Sequence, residues 1–113
     1  MSSSASAESP QAILDDTLVL LRAFLTSAGP YVISGEAMAV IVDEFSRRLT
    51  AASANGDALR LLRTWYRNMP AVMVRLFDEA GRTELPDGQP VTLLTERDAR
   101  RLVEWCPDRP EFD

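Results

Sequence analysis

Apolar residues recur every three to four positions through most of this chain, which is the spacing of one face of an α-helix. The pattern predicts helices over residues 10–28, 35–54, 57–68, 70–80 and 96–105, with Gly or Pro near most of their ends. The connections between these segments are short. The sequence therefore predicts an all-α fold, a small bundle of four to five short helices.

Several residues define the ends of the predicted helices. Ser9 is a good N-cap residue, and Pro10 suits a first helical turn, where its missing N–H has no intrahelical partner. Pro70 lacks a backbone donor and disfavours a helical conformation of the residue before it. We therefore predict a break or sharp kink at Pro70, between the third and the fourth helix.

The segment from Arg82 to Leu94 lacks a helical period. Pro86-Asp87-Gly88 is typical of a turn. The residues on either side of it form either two short strands, giving a minor β-hairpin near residues 83–93, or an ordered loop. Thr95 and Asp98 have the spacing of a capping box, which indicates that the last helix begins there.

The length of 113 residues is typical of one domain. Residues 1–9 are rich in Ser and Ala and are predicted to be a disordered tail, which leaves residues 10–113 as a single helical domain. The longest apolar run, Ala37 to Val42, is too short to span a membrane. With no secretory signal pattern and one Cys, we expect a cytoplasmic protein.

All 12 basic residues are Arg, and the chain has neither Lys nor His. These absences exclude a Ser-His-Asp triad, a histidine metal site, a P-loop lysine and Schiff-base chemistry. Cys106, the single Cys, forms neither an intrachain disulfide nor a zinc cluster. We therefore predict a non-enzymatic protein that binds no metal and no organic cofactor.

Charge is unevenly distributed along the chain. Arg60, Arg63 and Arg67 fall on one helical face, and residues 57–77 carry a net charge of +3 in a chain whose total is −5. Three interpretations fit this pattern: a solvated face that pairs with the acidic C-terminal part, a surface that binds an acidic protein, and a recognition helix for DNA. The overall acidity disfavours nucleic acid.

Nearly every predicted helix also carries an apolar residue outside its core-facing stripe, and these residues are Val19, Val40, Leu61, Val74 and Trp105. Such residues indicate either ordinary scatter or burial against a second copy of the chain or a partner. From the second interpretation we predict a homodimer. The candidate partner-binding residues are those of the arginine face together with three apolar side chains: Arg60, Leu61, Arg63, Arg67, Val74 and Trp105.

The helical stretch from Leu59 to Arg67 and the ending Leu102-Val103-Glu104-Trp105-Cys106-Pro107 resemble the QslA-like quorum-sensing antiactivators, as do the length and the Lys-free, Arg-rich composition. That family binds the LuxR-type receptor LasR. The resemblance implies an all-helical homodimer that binds the ligand-binding domain of a LuxR-type transcriptional activator and blocks its dimerisation and DNA binding. The alternative is a small DNA-binding transcriptional regulator that uses the helix over residues 57–68.

Overall fold

The computed structural model describes residues 9–110. The predicted disordered tail, apart from Ser9, lies outside the described residues. The described part contains four helices and three strands. In chain order these are α1 (Pro10–Ala28), β1 (Tyr31–Ile33), α2 (Gly35–Ser53), α3 (Ala58–Glu79), β2 (Gly81–Glu84), β3 (Pro90–Leu94) and α4 (Glu96–Trp105).

The fold is mostly helical, but it is not the all-α fold that the sequence predicts, because the three strands form a sheet in the order β1-β3-β2. β2 and β3 form the antiparallel hairpin that the turn signal allows, with Arg82 opposite Thr92. β1 joins the other edge of β3 in parallel, with Tyr31 opposite Thr92. Only three residues of β1 take part, and their partner strand lies far along the chain. Local periodicity therefore cannot predict this pairing.

The predicted break at Pro70 is wrong, because α3 runs through it as one helix of 22 residues. The side chain of Pro70 is exposed, so the Tyr66 carbonyl that would accept its missing N–H lies on the solvent side of the helix. On the opposite side, Trp65, Met69 and Leu76 are buried along one continuous stripe. Burial of this stripe outweighs the cost of one interior proline, about 3 kcal/mol.

The core lies between the inward faces of the helices and the sheet. Its largest member, Trp65, stacks on Phe45 of α2 with ring centroids 4.5 Å apart. Its indole Nε1 donates a hydrogen bond of 2.7 Å to the carbonyl oxygen of Pro107. Trp65 therefore connects α3 both to α2 and to the segment that follows α4.

Two of the helix starts have side-chain caps. The Ser34 hydroxyl accepts a hydrogen bond from the backbone N–H of Ala37 at 3.0 Å. Thr95 and Asp98 form the predicted capping box at the start of α4. Ser9 occupies the N-cap position of α1, although its side chain makes no capping hydrogen bond. None of the helices in residues 9–110 is long and apolar enough to cross a membrane.

Candidate protein-binding surface

One side of α3 carries four of the six residues that the sequence selects for partner binding. Arg60, Arg63, Arg67 and Val74 are all exposed. Their positions lie within about 60° of one another around the helix axis, because successive residues are about 100° apart. From Arg60 to Val74 the set extends about 21 Å along the axis, at about 1.5 Å per residue. We call this surface the outer face of α3.

The residues on the outer face of α3 are exposed because the opposite side of the helix packs into the core. Leu61, Trp65 and Leu76 are buried on that opposite side, together with Met69 and Val72. A helix with one buried stripe turns its remaining residues to solvent, and here Arg60, Arg63 and Arg67 are among those residues. Packing of the core therefore determines which arginines face outward.

The predicted place of Leu61 at a partner surface is wrong. Its side chain is 0% exposed in the core, so it is not available to a partner in the folded chain. The helix is rotated relative to the predicted phase, and Leu59 and Tyr66, which the periodicity places inward, are exposed. Tyr66 lies beside Phe24 of α1, with ring centroids 5.7 Å apart.

Trp105 lies away from the outer face of α3. It is the last residue of α4, and its half-buried ring lies under the guanidinium of Arg75, 4.0 Å from the ring centroid. Arg75 pairs with Glu79 at 3.2 Å, and Arg101 of α4 lies 3.6 Å from the same carboxylate. This cluster connects α3 to α4 on the flank of α3, about 100° around the axis from Val74.

The outer face is cationic at one end and apolar at the other. Near its start, Arg60 Nη1 lies 3.7 Å from Asp57 Oδ1, an exposed pair of the kind that adds little to stability. Arg63 and Arg67 follow within two turns, and Val74 then ends the set with a side chain that is 72% exposed. Arginine is enriched at protein interfaces, and exposed Val74 adds apolar surface to the same face.

Val74 also forms part of a groove between the end of α1, the C-terminal half of α3 and the hairpin. We call it the terminal groove; its volume is about 260 Å³, and the residues that shape it are Ala28, Pro30, Val74, Phe77, Asp78 and Arg82. Gly29 also lines it, with a φ of 141° that favours glycine. The Phe77 ring is held from below by an edge contact with Tyr31, at 6.5 Å between centroids.

A larger groove of about 590 Å³ lies at the other end of the molecule, between α2 and the segment after α4. Arg47, Arg48 and Arg109 line it together with acidic side chains. Glu44 bonds to both Arg47 and Arg48, and Arg48 Nη1 donates a hydrogen bond of 3.1 Å to the carbonyl of Cys106. Burial raises the pKa of Glu44, but the two guanidinium groups outweigh it and hold this pKa below its ordinary value. Arg47 and Arg48 therefore serve internal contacts.

Cys106 does not form a reactive site. Its side chain is buried, and burial raises the pKa of the thiol to about 12, against the smaller opposing effect of Arg48. Within residues 9–110, no group of three or more His, Cys, Asp and Glu side chains is placed to hold a metal ion.

Comparison of the chain with models of protein families, with curated protein sequences and with solved structures finds no match.

Sequence reasoning selects the exposed arginines because their spacing is local to one helix. It misses the terminal groove, whose walls come from α1 and the residues just after it, and from α3, β2 and β3. The one local signal for it is Val74, an apolar residue in line with the arginines. The Gly29-Pro30 pair, which the sequence indicates only as the end of a helix, forms part of the opposite wall.

Proposed function

We propose that this chain is a non-enzymatic, cytoplasmic regulator that binds a protein partner through the outer face of α3. The observation that supports it most is the set Arg60, Arg63 and Arg67 on one exposed helix face that ends in exposed Val74. Arg forms bidentate contacts with carboxylates and is enriched at interfaces, so this face suits an acidic protein surface. The overall net charge of −5 disfavours nucleic acid as the partner.

The resemblance to the quorum-sensing antiactivators makes a LuxR-type transcriptional activator the proposed partner. A helical protein with an arginine face and an apolar end can occupy a surface that the receptor uses for its own helix–helix contacts. Binding would then sequester the receptor as a form that neither dimerises nor binds DNA. The inhibited fraction follows mass action and needs no chemical step.

The test compares wild-type protein with the triple variant R60E/R63E/R67E for binding to the ligand-binding domain of LasR. We expect the triple variant to bind more weakly, because it places carboxylates against an acidic surface. The loss should appear first in the association rate and should shrink at high salt, since exposed charges mainly steer encounter. Thermal unfolding should change little, because the three side chains are exposed.

The matched control is R22E/R97E/R100E, which changes three other exposed arginines and gives the same net charge. It should bind LasR nearly as well as wild type does. Equal losses in both triple variants would assign the effect to net charge and contradict the proposed surface. A wild-type protein that binds duplex DNA with steep salt dependence, and does not bind LasR, would establish the DNA-binding alternative.

A further inference from the structure

Resting on the proposed function, we propose that the terminal groove receives one apolar side chain of the partner protein. This side chain belongs to the same partner surface as the carboxylates that pair with the outer face of α3. Val74 is common to the groove and to the outer face, so the two form one continuous surface. The two ends of this surface then bind different groups of the partner: the arginine end binds acidic groups, and the groove end binds an apolar side chain.

The walls of the terminal groove suit an apolar group. Val74 and Phe77 of α3 face Ala28 and Pro30, and these residues offer hydrocarbon and ring surfaces. The charged residues Asp78 and Arg82 also line the groove. Apolar lining residues together with charged ones suit a groove that holds an apolar side chain of a partner.

The size of the groove favours a side chain over a free small molecule. Its volume of about 260 Å³ is below the roughly 300–1,000 Å³ of pockets that bind drug-sized ligands. It is open to solvent, and Val74 lies both in its lining and on the outer face of α3. A partner segment that lies along α3 could therefore place one side chain in the groove while its neighbours contact the arginines.

The helix geometry fixes the spacing that the partner must match. Val74 follows Arg67 by seven residues and Arg60 by fourteen, which corresponds to about 10 Å and about 21 Å along the axis. The complementary segment therefore carries Asp or Glu about 10–21 Å from a large apolar side chain. Two to four turns of an amphipathic helix meet this requirement.

The experiment measures binding kinetics of the LasR ligand-binding domain to wild type, Val74→Asp and the control Val19→Asp. Val19, on the outer side of α1, is 67% exposed and thus matches Val74 in residue type and exposure. We expect Val74→Asp to weaken binding at least about 30-fold, the loss typical of a hot spot, mainly through faster dissociation. Val19→Asp should bind as wild type does. Both exposed substitutions should leave the unfolding midpoint nearly unchanged.

A Val74→Asp variant that binds like wild type, while R60E/R63E/R67E loses binding, would overturn this inference and leave the proposed function intact. A wild-type protein that does not bind the LasR domain would overturn both. A second measurement places a photo-reactive benzoylphenylalanine at position 74. We expect it to cross-link to a receptor segment that combines a large apolar residue with Asp or Glu at the stated spacing. A cross-link to a segment without acidic residues would also overturn the inference.

Discussion

At the scale of single residues, Cys106 shows how burial determines reactivity. The side chain is only 3% exposed, and burial raises the pKa of its thiol to about 12. Thiolate is the reactive form, so we expect a thiol reagent at pH 8 to label the native protein far more slowly than the protein unfolded in urea. The measurement is the labelling rate with and without urea. Similar rates in both states would contradict the burial of this thiol.

Pro70 is a position where we expect a substitution to raise stability. Replacing Pro70 with Ala restores a backbone donor to the Tyr66 carbonyl and removes the clash of the ring with that carbonyl. We expect the free energy of unfolding to rise, by up to about 3 kcal/mol. Urea denaturation of the two proteins measures the change.

The control for Pro70→Ala is Pro86→Ala. Pro86 lies in the turn that the hydrogen bond from Gly88 N–H to the Leu85 carbonyl closes, at 2.8 Å. A proline there restricts the unfolded chain, so its loss should lower stability by about 0.4–1 kcal/mol. If Pro70→Ala also lowered stability, the proline would be making a favourable contact that the exposed position does not indicate.

Glu44 connects stability to pH. Its pKa in the folded chain is lowered, so its contacts with Arg47 and Arg48 stabilise the fold above the pKa of the unfolded chain. That contribution is lost as pH falls through the folded pKa. We therefore expect Glu44→Gln to lower the free energy of unfolding at pH 7, and this difference from wild type to shrink progressively as the solution is acidified and the Glu44 carboxylate takes up its proton. A difference that does not change with acidification would mean that packing, and not charge, accounts for the effect.

At the scale of elements, the start of α4 depends on one buried carboxylate. Asp98 Oδ2 accepts hydrogen bonds from the backbone N–H of Thr95 at 2.9 Å and from its hydroxyl at 3.0 Å. We expect Asp98→Ala to lower the free energy of unfolding by about 0.5–2 kcal/mol, the range for lost caps. Glu104→Ala, at an exposed position in the last turn of the same helix, should change stability much less. Equal effects would contradict the capping role.

The sequence predicts those elements whose signals are local. The apolar period and the capping residues place α1, α2 and α4 within one residue of their observed ends. Pro70 is a strong local signal for a break, but the buried stripe on both sides of it keeps α3 continuous. β1 depends on pairing with β3, about 60 residues further along, and no local pattern encodes that contact.

The same distinction applies to the candidate surface. Arg60, Arg63 and Arg67 share a face through their spacing alone, so the sequence is sufficient to select them. The sequence places Leu61 on the wrong side because Leu59, Leu61 and Leu62 allow more than one helix phase. The burial of Trp65 in the core fixes the rotation of α3 about its axis, and only the folded structure shows this rotation.

At the scale of the whole molecule, the prediction of a homodimer now depends on fewer exposed apolar residues. The sequence selects five side chains for it, of which Leu61 is buried and Val40 and Trp105 are half-buried. Val19 and Val74 stay exposed, and Leu59 and Tyr66 join them. These four residues are dispersed over α1 and α3. Apolar area alone therefore does not locate a dimer interface, and the distribution of charge must be considered as well.

A twofold interface brings the same patch of both copies together. If the outer face of α3 formed it, the arginines of one copy would face those of the other, and like charges in contact are unfavourable. We therefore expect light scattering at micromolar concentration to give a mass near twice 12.5 kDa for wild type and for R60E/R63E/R67E alike. A wild-type mass near 12.5 kDa would contradict the homodimer. If wild type were a dimer and the triple variant a monomer, the outer face of α3 would be the dimer interface. Partner binding at that face would then compete with dimerisation.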